Sequence, residues 1–354
     1  MLVSGRLIQG IGGAMMTPVG RLILIKVYPR SALVAAFSRL TFLGQIAPAL
    51  GPLIGGALTT FVSWRLIFFV NLPIGLIAFF LIYYFMENMT SEEKRKFDFY
   101  GFMIFGIGIG LFTFALTLLT EQSARISLGI FLLVGSLPLL LFYLWRSKKM
   151  THPLLDLKLF NISSFRIAVL GSLVVRIGIG GIPFLLPLLF QLNFDFSPLI
   201  SGLYTVPYGV AMFLAKPFVH PFLKRFGYKK LLFVNPLLIA TNLLLLAYFS
   251  PILSIYLILA LVFTTGFFCS LQFTYMNLLN FVDIQEGDKS KATSLSSVFQ
   301  LLAMNFGVCM TTGLLVLTNS STSSIFIPLS AFRYTLAGLA ILAASSVFLF
   351  RRLS

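Results

Sequence analysis

Charge is what this 354-residue chain has least of. Asp, Glu, Lys and Arg make up 10% of it, where a soluble domain carries about 25%. Acids are the scarcer sign, with 10 Asp and Glu against 26 Lys and Arg and a net charge of +16. No carboxylate falls near the middle of an apolar stretch. Glu87, Glu121, Asp195 and Asp283 sit at the ends of such stretches, and the others lie between them. That excludes a paired-carboxylate acid–base site at membrane depth. It also removes the embedded titrating acid that proton-driven carriers use. Cysteine is nearly absent as well. Cys269 and Cys309 both lie inside apolar segments, which excludes a disulfide framework and a thiolate metal centre. The two histidines, His152 and His220, lie near segment ends, away from any other ligand group. The sequence therefore predicts no metal, no cofactor, no catalytic residue and no enzyme. No filter-like loop or repeating ring of charge suggests a channel.

What is present is apolar. The hydrophobic share is 58% and the mean hydropathy is +0.98. A helix needs about 20 residues to cross a hydrocarbon core of ~30 Å. Division at charge clusters and turn residues predicts eleven spans: 3–27, 32–59, 64–87, 100–119, 127–145, 166–190, 198–219, 230–249, 253–280, 293–317 and 330–350. The class expected is an all-α polytopic membrane protein with the lipid bilayer as its partner. A charge of +16 on a soluble protein would suggest nucleic acid. Here cationic loops on one membrane face explain it without a nucleic-acid partner.

One set of loops holds Lys26, Arg30, Lys94, Arg95, Lys96, Arg146, Lys148, Lys149, Lys158, Arg166, Lys224, Arg225, Lys229, Lys230, Lys289, Lys291, Arg351 and Arg352. The alternate set holds Arg65, Arg125 and Arg333. Eighteen cations against three place the first set, and the C-terminus, in the cytoplasm. Met1 then falls on the outer side. The stretch after it is interrupted by Arg6, Gln9 and glycines and lacks a small-residue cleavage site, so it reads poorly as a signal peptide. It is expected to begin within a membrane protein. The longest cytoplasmic connection, 146–166, is expected to be the seam between two helical bundles. Its segment HPLLDLKLF (152–160) has the spacing of an interfacial helix.

Five cations fall within spans. Arg6 lies one turn inside its span, and Arg21 and Arg39 lie near the cytoplasmic end, where long side chains snorkel. Arg176 falls midway along its span, among small residues in VVRIGIGGIPF, and reads either as a cavity-facing cation or as a structural hydrogen-bonding group. Lys216, in AKPF, reads as a snorkelling side chain or a second cavity cation. Aromatics reach 15%, including 39 Phe. Most are expected to face lipid or to pack between helices, although some rings suit cation–π contacts in a cavity. PFLLPLLFQ (183–191), with two prolines and Gln191, is a candidate kinked cavity-lining helix.

The densest punctuation lies between Gly44 and Gly75. In a soluble helix each interior glycine costs ~1 kcal/mol and each proline ~3 kcal/mol. In a bilayer, small residues let helix backbones approach closely, and neighbouring helices satisfy the groups that proline frees. A kinked helix packed tightly on a partner is expected there, with Gly51, Gly55 and Gly56 recurring at one-turn spacing in the contact.

Three segments carry a family resemblance. RLIQGIGGAMMTPVGRLIL (6–24) resembles the fourth-helix Arg-x-x-Gln-Gly motif of major facilitator superfamily exporters. PALGPLIGGAL (48–58) resembles their fifth-helix antiporter motif, and SWRLIFFVNLPIG (63–75) is similar to the signature of the fourteen-helix drug:proton antiporter branch. LKLF, FSPLISGL, KRFGYKK and the Ser/Asn-rich 293–307 segment extend the likeness to multidrug exporters over essentially the whole chain.

The resemblance implies two rocking helical bundles, with about eleven of an expected fourteen helices present. In that register 1–90 is the remainder of the N-terminal bundle, 91–150 supplies two extra linker helices, and 151–354 is the C-terminal six-helix bundle. It implies that Arg6, Gln9 and Gly10 form the transport motif, with Arg6 taking part in proton movement. Pro48, Gly51, Pro52, Gly55 and Gly56 would form the antiporter motif, and Trp64, Arg65, Asn71, Pro73 and Gly75 the branch signature. Lys224, Arg225, Gly227 and Lys230 would be a second copy of a loop motif, without its Asp-Arg pair. It further implies a small amphipathic substrate, often cationic, protons as the coupling ion, a monomer, and residence in a bacterial inner membrane. The alternative is a truncated, transport-inactive fragment.

Overall fold

The computed structural model describes residues 2–28, 50–86, 98–120, 126–150, 153–248, 255–285, 288–319 and 327–351. Among them every regular element is helical. The first are α1 (Leu2–Val27), α2 (Leu50–Phe61), α3 (Leu66–Phe69) and α4 (Asn71–Phe85). Next come α5 (Phe99–Thr120) and α6 (Ile126–Lys149). The remainder are α7 (Ser163–Ile179), α8 (Ile182–Asn193), α9 (Pro198–Leu214), α10 (Val219–Ala247), α11 (Ile255–Leu279), α12 (Lys289–Thr318), α13 (Leu329–Ser345) and the short α14 (Val347–Phe350).

Among the described residues, eight helical stretches are long and apolar enough to cross a membrane. One of them, Pro198–Ala247, runs to 50 residues and covers two of the expected spans. The division falls at Gly227, where φ is 73° and ψ is 166°, a conformation essentially closed to residues with a Cβ. α1 coincides with the first expected span and α2 with the end of the second, whose residues 32–49 lie outside the described residues. This is an all-α polytopic membrane protein. Many large apolar side chains are exposed, as along α4 from Leu76 to Phe85.

The core lies among α7 to α14. Val175, Ile179, Leu185, Leu232, Ile239, Val262, Tyr275 and Leu339 are almost fully buried there. Small residues set the spacing. A Cβ at Gly178 would lie 2.8 Å from the Ala343 nitrogen of α13. One at Gly307 of α12 would lie 2.7 Å from the Arg176 carbonyl oxygen of α7. Membrane helices without a hydrophobic drive between them associate through such close packing and through polar contacts. Asn235 of α10 supplies one, donating to the Phe268 carbonyl at 2.8 Å and to Gln272 at 3.0 Å on α11.

Helices α5 and α6 form a hairpin. Asp98 accepts from the Gly101 amide at 2.9 Å and pairs with Arg146 at 2.9 Å. The hairpin leans on α12 through Phe112 and Phe306, whose ring centroids are 5.5 Å apart.

The connection after α6 corrects one expectation. Within 152–160, residue 152 lies outside the described residues, and the rest forms no interfacial helix. A 3₁₀ turn spans Leu157–Asn161, and Leu155 and Leu159 are buried beside Tyr143, Phe165, Val169 and Ala292. The Leu155 amide donates to the Tyr143 hydroxyl at 3.0 Å, and Ser147 Oγ donates to the Leu155 carbonyl at 3.0 Å. The apolar positions of that segment have protein neighbours to bury against, so they do not lie in the lipid interface. Lys291 ties the same segment to α12, 3.3 Å from Asp156 and 2.8 Å from Asp288.

Candidate functional site

Arg176 sits in the last turn of α7, just before the small residues Gly178, Gly180 and Gly181 let the chain turn into α8. Its Nε donates to Ser172 Oγ, one turn back, at 2.9 Å. Its Nη2 donates to Gln300 Oε1 of α12 at 3.3 Å, and Gln300 in turn donates to Asn277 Oδ1 of α11 at 2.9 Å. The guanidinium carbon stands 4.1 Å from the centre of the Phe273 ring. The residue is 7% exposed. Its hydrogen-bond and ring partners are all neutral.

Lys216 begins the 3₁₀ turn that follows α9. Its ammonium donates to Thr274 Oγ1 of α11 at 2.8 Å. Thr274 lies one residue beyond Phe273, so α11 brings both cations to one place. They line a common cavity of about 320 Å³, whose wall also includes Pro183, Leu186, Thr205, Tyr208, Met212, Ser270, Asn277 and Met304. No Asp or Glu lines it among the described residues. Pro183 and Leu186 belong to the proline-bearing helix singled out in the sequence, whereas Gln191 lies beyond the cavity, 3.5 Å from Ser201 Oγ.

Pro52 of α2 closes the cavity on one side. Here α2 and α9 touch backbone to backbone, in a reciprocal arrangement. A Cβ on Gly56 would strike the Pro198 carbonyl, and a Cβ on Gly202 would strike the Pro52 carbonyl. The Leu199 amide donates across the seam to Thr60 Oγ1 at 3.2 Å. The expectation placed Gly51, Gly55 and Gly56 in the close contact; Gly56 makes it, whereas a Cβ at Gly51 or Gly55 would meet nothing within 4 Å among the described residues. Helical geometry is the reason: Gly56 is on the face that meets α9. Pro48 lies outside the described residues.

The other singled-out residues stand apart from the cavity wall. Arg6 is exposed on α1, donating to Gln9 at 2.7 Å with its guanidinium 4.7 Å from the Phe68 ring centre. Gly10 is exposed on the same helix. Trp64 stacks edge-on against Phe68 at 5.9 Å, and Arg65 lies 5.0 Å from the Trp64 ring. Asn71, Pro73 and Gly75 open α4, where proline has no intrahelical bond to remove. Lys224, Arg225 and Lys230 are exposed around the Gly227 break, with Arg225 and Lys230 5.4 and 5.3 Å from the Phe226 ring.

Sequence reasoning missed Phe273, Thr274, Asn277, Gln300 and Gly202. The polar members were visible as hydrophilic residues within apolar spans, but nothing in their spacing joined three helices at one point.

The fold and cavity define a multi-pass α-helical membrane protein with a mostly apolar cavity that two cationic side chains line. A family model described as Major Facilitator Superfamily matches residues 1–308, and the chain belongs to that superfamily. Relatives named multidrug resistance protein MdtD, from Salmonella paratyphi A and Salmonella newport, are each 36% identical over 309 residues. Each match covers 87% of this chain and 65% of the relative, so the aligned part spans a little under two thirds of the relatives' length. A solved nucleoside transporter, NupG, covers 88% of this chain and 82% of its own at 14% identity and a TM-score of 0.46.

Proposed function

We propose that the chain acts in secondary active transport, exporting drugs or other small amphipathic compounds in exchange for protons by alternating access. The observation that carries this reading is the cavity of about 320 Å³ lined by Pro52 of α2 together with residues of α7, α8, α9, α11 and α12. Parting the α2–α9 seam would open it, so one rigid-body movement changes its accessibility. Membership of the superfamily and the multidrug resistance named for the relatives support the substrate class.

In this reading Gly51, Pro52, Gly55 and Gly56, with Pro48 before them, form the seal between bundles. Residues 1–90 belong to the N-terminal bundle, 91–150 are linker helices, and 151–354 are the C-terminal bundle. Arg6, Gln9 and Gly10 form the transport motif for proton movement. Trp64, Arg65, Asn71, Pro73 and Gly75 hold the turn between α2 and α4. Lys224, Arg225, Gly227 and Lys230 form a cytoplasmic loop motif. The protein resides as a monomer in a bacterial inner membrane with its C-terminus cytoplasmic, an orientation that eighteen loop cations against three support.

The test is export of labelled drugs from cells expressing the chain, with and without a protonophore. Export should collapse with the proton gradient. Export that persists after complete dissipation would sink the coupling, and a chain that inserts but moves no compound would return the inactive-fragment reading.

A further inference from the structure

We infer that the ligand of the cavity carries an anionic head, a carboxylate or phosphate-like group, bound by Arg176 and Lys216. This rests on the cavity being the transport site. It specifies the substrate class there and departs from the cationic amphiphiles that the family resemblance suggests.

Three observations converge. First, two basic side chains share one cavity wall and no carboxylate does, among the described residues. The described acids lie elsewhere: Asp98 is paired with Arg146, Asp156 and Asp288 with Lys291, and Asp195 and Asp283 are exposed near helix ends. Second, Arg176 is 7% exposed, deep within a helix bundle. A buried charge is costly unless a counter-charge meets it, and charges at membrane depth are rare and mark ligand or ion paths. Third, donor capacity is left over. A guanidinium has five N–H groups and an ammonium three. Ser172 and Gln300 accept from two atoms of Arg176, and Thr274 accepts from Lys216. All three acceptors are neutral oxygens. An anion entering the cavity would supply the missing charge and accept charge-assisted hydrogen bonds, which are about twice as strong as neutral ones.

The rest of the cavity suits the remainder of an amphiphile. Phe273, Leu186, Met304 and Tyr208 give it an apolar wall. Phe273 already lies against the guanidinium face, and Nε and Nη2 already donate to Ser172 and Gln300, so the ligand would take the remaining N–H groups of the guanidinium edge. A cationic amphiphile would meet two like charges in the same space.

The experiment uses the full chain in phosphatidylcholine nanodiscs and equilibrium binding of three tritiated probes with one apolar body: 4-phenylbutyrate, 4-phenylbutyramide and 4-phenylbutylammonium. The carboxylate should bind about tenfold more tightly than the amide, and the ammonium most weakly. Arg176→Gln and Lys216→Gln should each reduce the carboxylate-over-amide ratio by about fivefold or more. Arg176→Lys should retain part of the preference. Should Arg176→Gln fail to fold, Lys216→Gln carries the test, because its side chain sits at the end of α9 rather than inside the packed core.

Ammonium binding equal to or tighter than carboxylate would overturn the anionic assignment and leave the transport reading standing. So would a carboxylate preference that survives in both Gln variants. Failure of all three probes to bind would overturn the cavity as a ligand site, and the transport reading with it. Discs containing phosphatidylglycerol separate the two sources of anion. Unchanged affinity points to a soluble solute, and competition points to a lipid headgroup; both keep the anionic assignment.

Discussion

Adding one methyl group at Gly56 tests the seam between α2 and α9. In the structure an alanine Cβ at 56 would lie 2.9 Å from the Pro198 carbonyl carbon and 3.0 Å from Leu199 Cα, with the carbonyl oxygen nearer still. Carbon atoms rest at about 3.5–4.0 Å, so the two helices must part by about 0.5–1 Å. The obstacle is backbone and has no rotamer to yield. Overpacking of this kind costs about 1–3 kcal/mol, which lowers the population of the closed seam by roughly fivefold to 150-fold. The readout is a cysteine pair, Thr60→Cys with Leu199→Cys, placed where the Leu199 amide meets the Thr60 hydroxyl at 3.2 Å. A short bifunctional cross-linker should join the pair efficiently in the parent and at least fivefold less in Gly56→Ala. Gly202→Ala should behave alike, since its Cβ would strike the Pro52 carbonyl from the other side. Gly51→Ala and Gly55→Ala, whose added Cβ meets nothing within 4 Å, should cross-link as the parent does. Parental cross-linking in Gly56→Ala, or equal losses at Gly51 and Gly56, would refute the close-approach argument.

Other outcomes follow from the same contacts. Asp98→Asn removes the charge that meets Arg146 at 2.9 Å, where the Asp98 side chain is 5% exposed. Thermal unfolding in detergent should show a loss of about 3 kcal/mol. Asn235→Leu deletes two donors to α11 and should cost about 1 kcal/mol; no change in melting would mean lipid or water replaces those bonds. Gly227→Ala forces a Cβ into φ 73°, ψ 166° and should cost about 1–3 kcal/mol, read as faster proteolysis at the 224–230 break.

The sequence by itself determined the membrane class and the positions of the long apolar helices among the described residues. Long apolar runs must be helical in lipid, because only internal hydrogen bonds satisfy their backbone. Hydropathy therefore carries that information residue by residue, and 198–249 was legible as two spans even though the helices abut at Gly227. It also marked Arg176 and Lys216, because a cation inside an apolar run is conspicuous one residue at a time. Tertiary structure decided what those cations share. Thr274 and Phe273 of α11 bring them to one cavity, and Gln300 and Asn277 join α12 to α11 beside it. Such meetings depend on which faces of three helices turn inward, and sequence spacing within one helix is silent about its neighbours. The same limit explains the seam. The glycines of α2 announced close packing, but which of them touches a partner depends on the position of α9 opposite, and it is Gly56 that meets the Pro198 carbonyl.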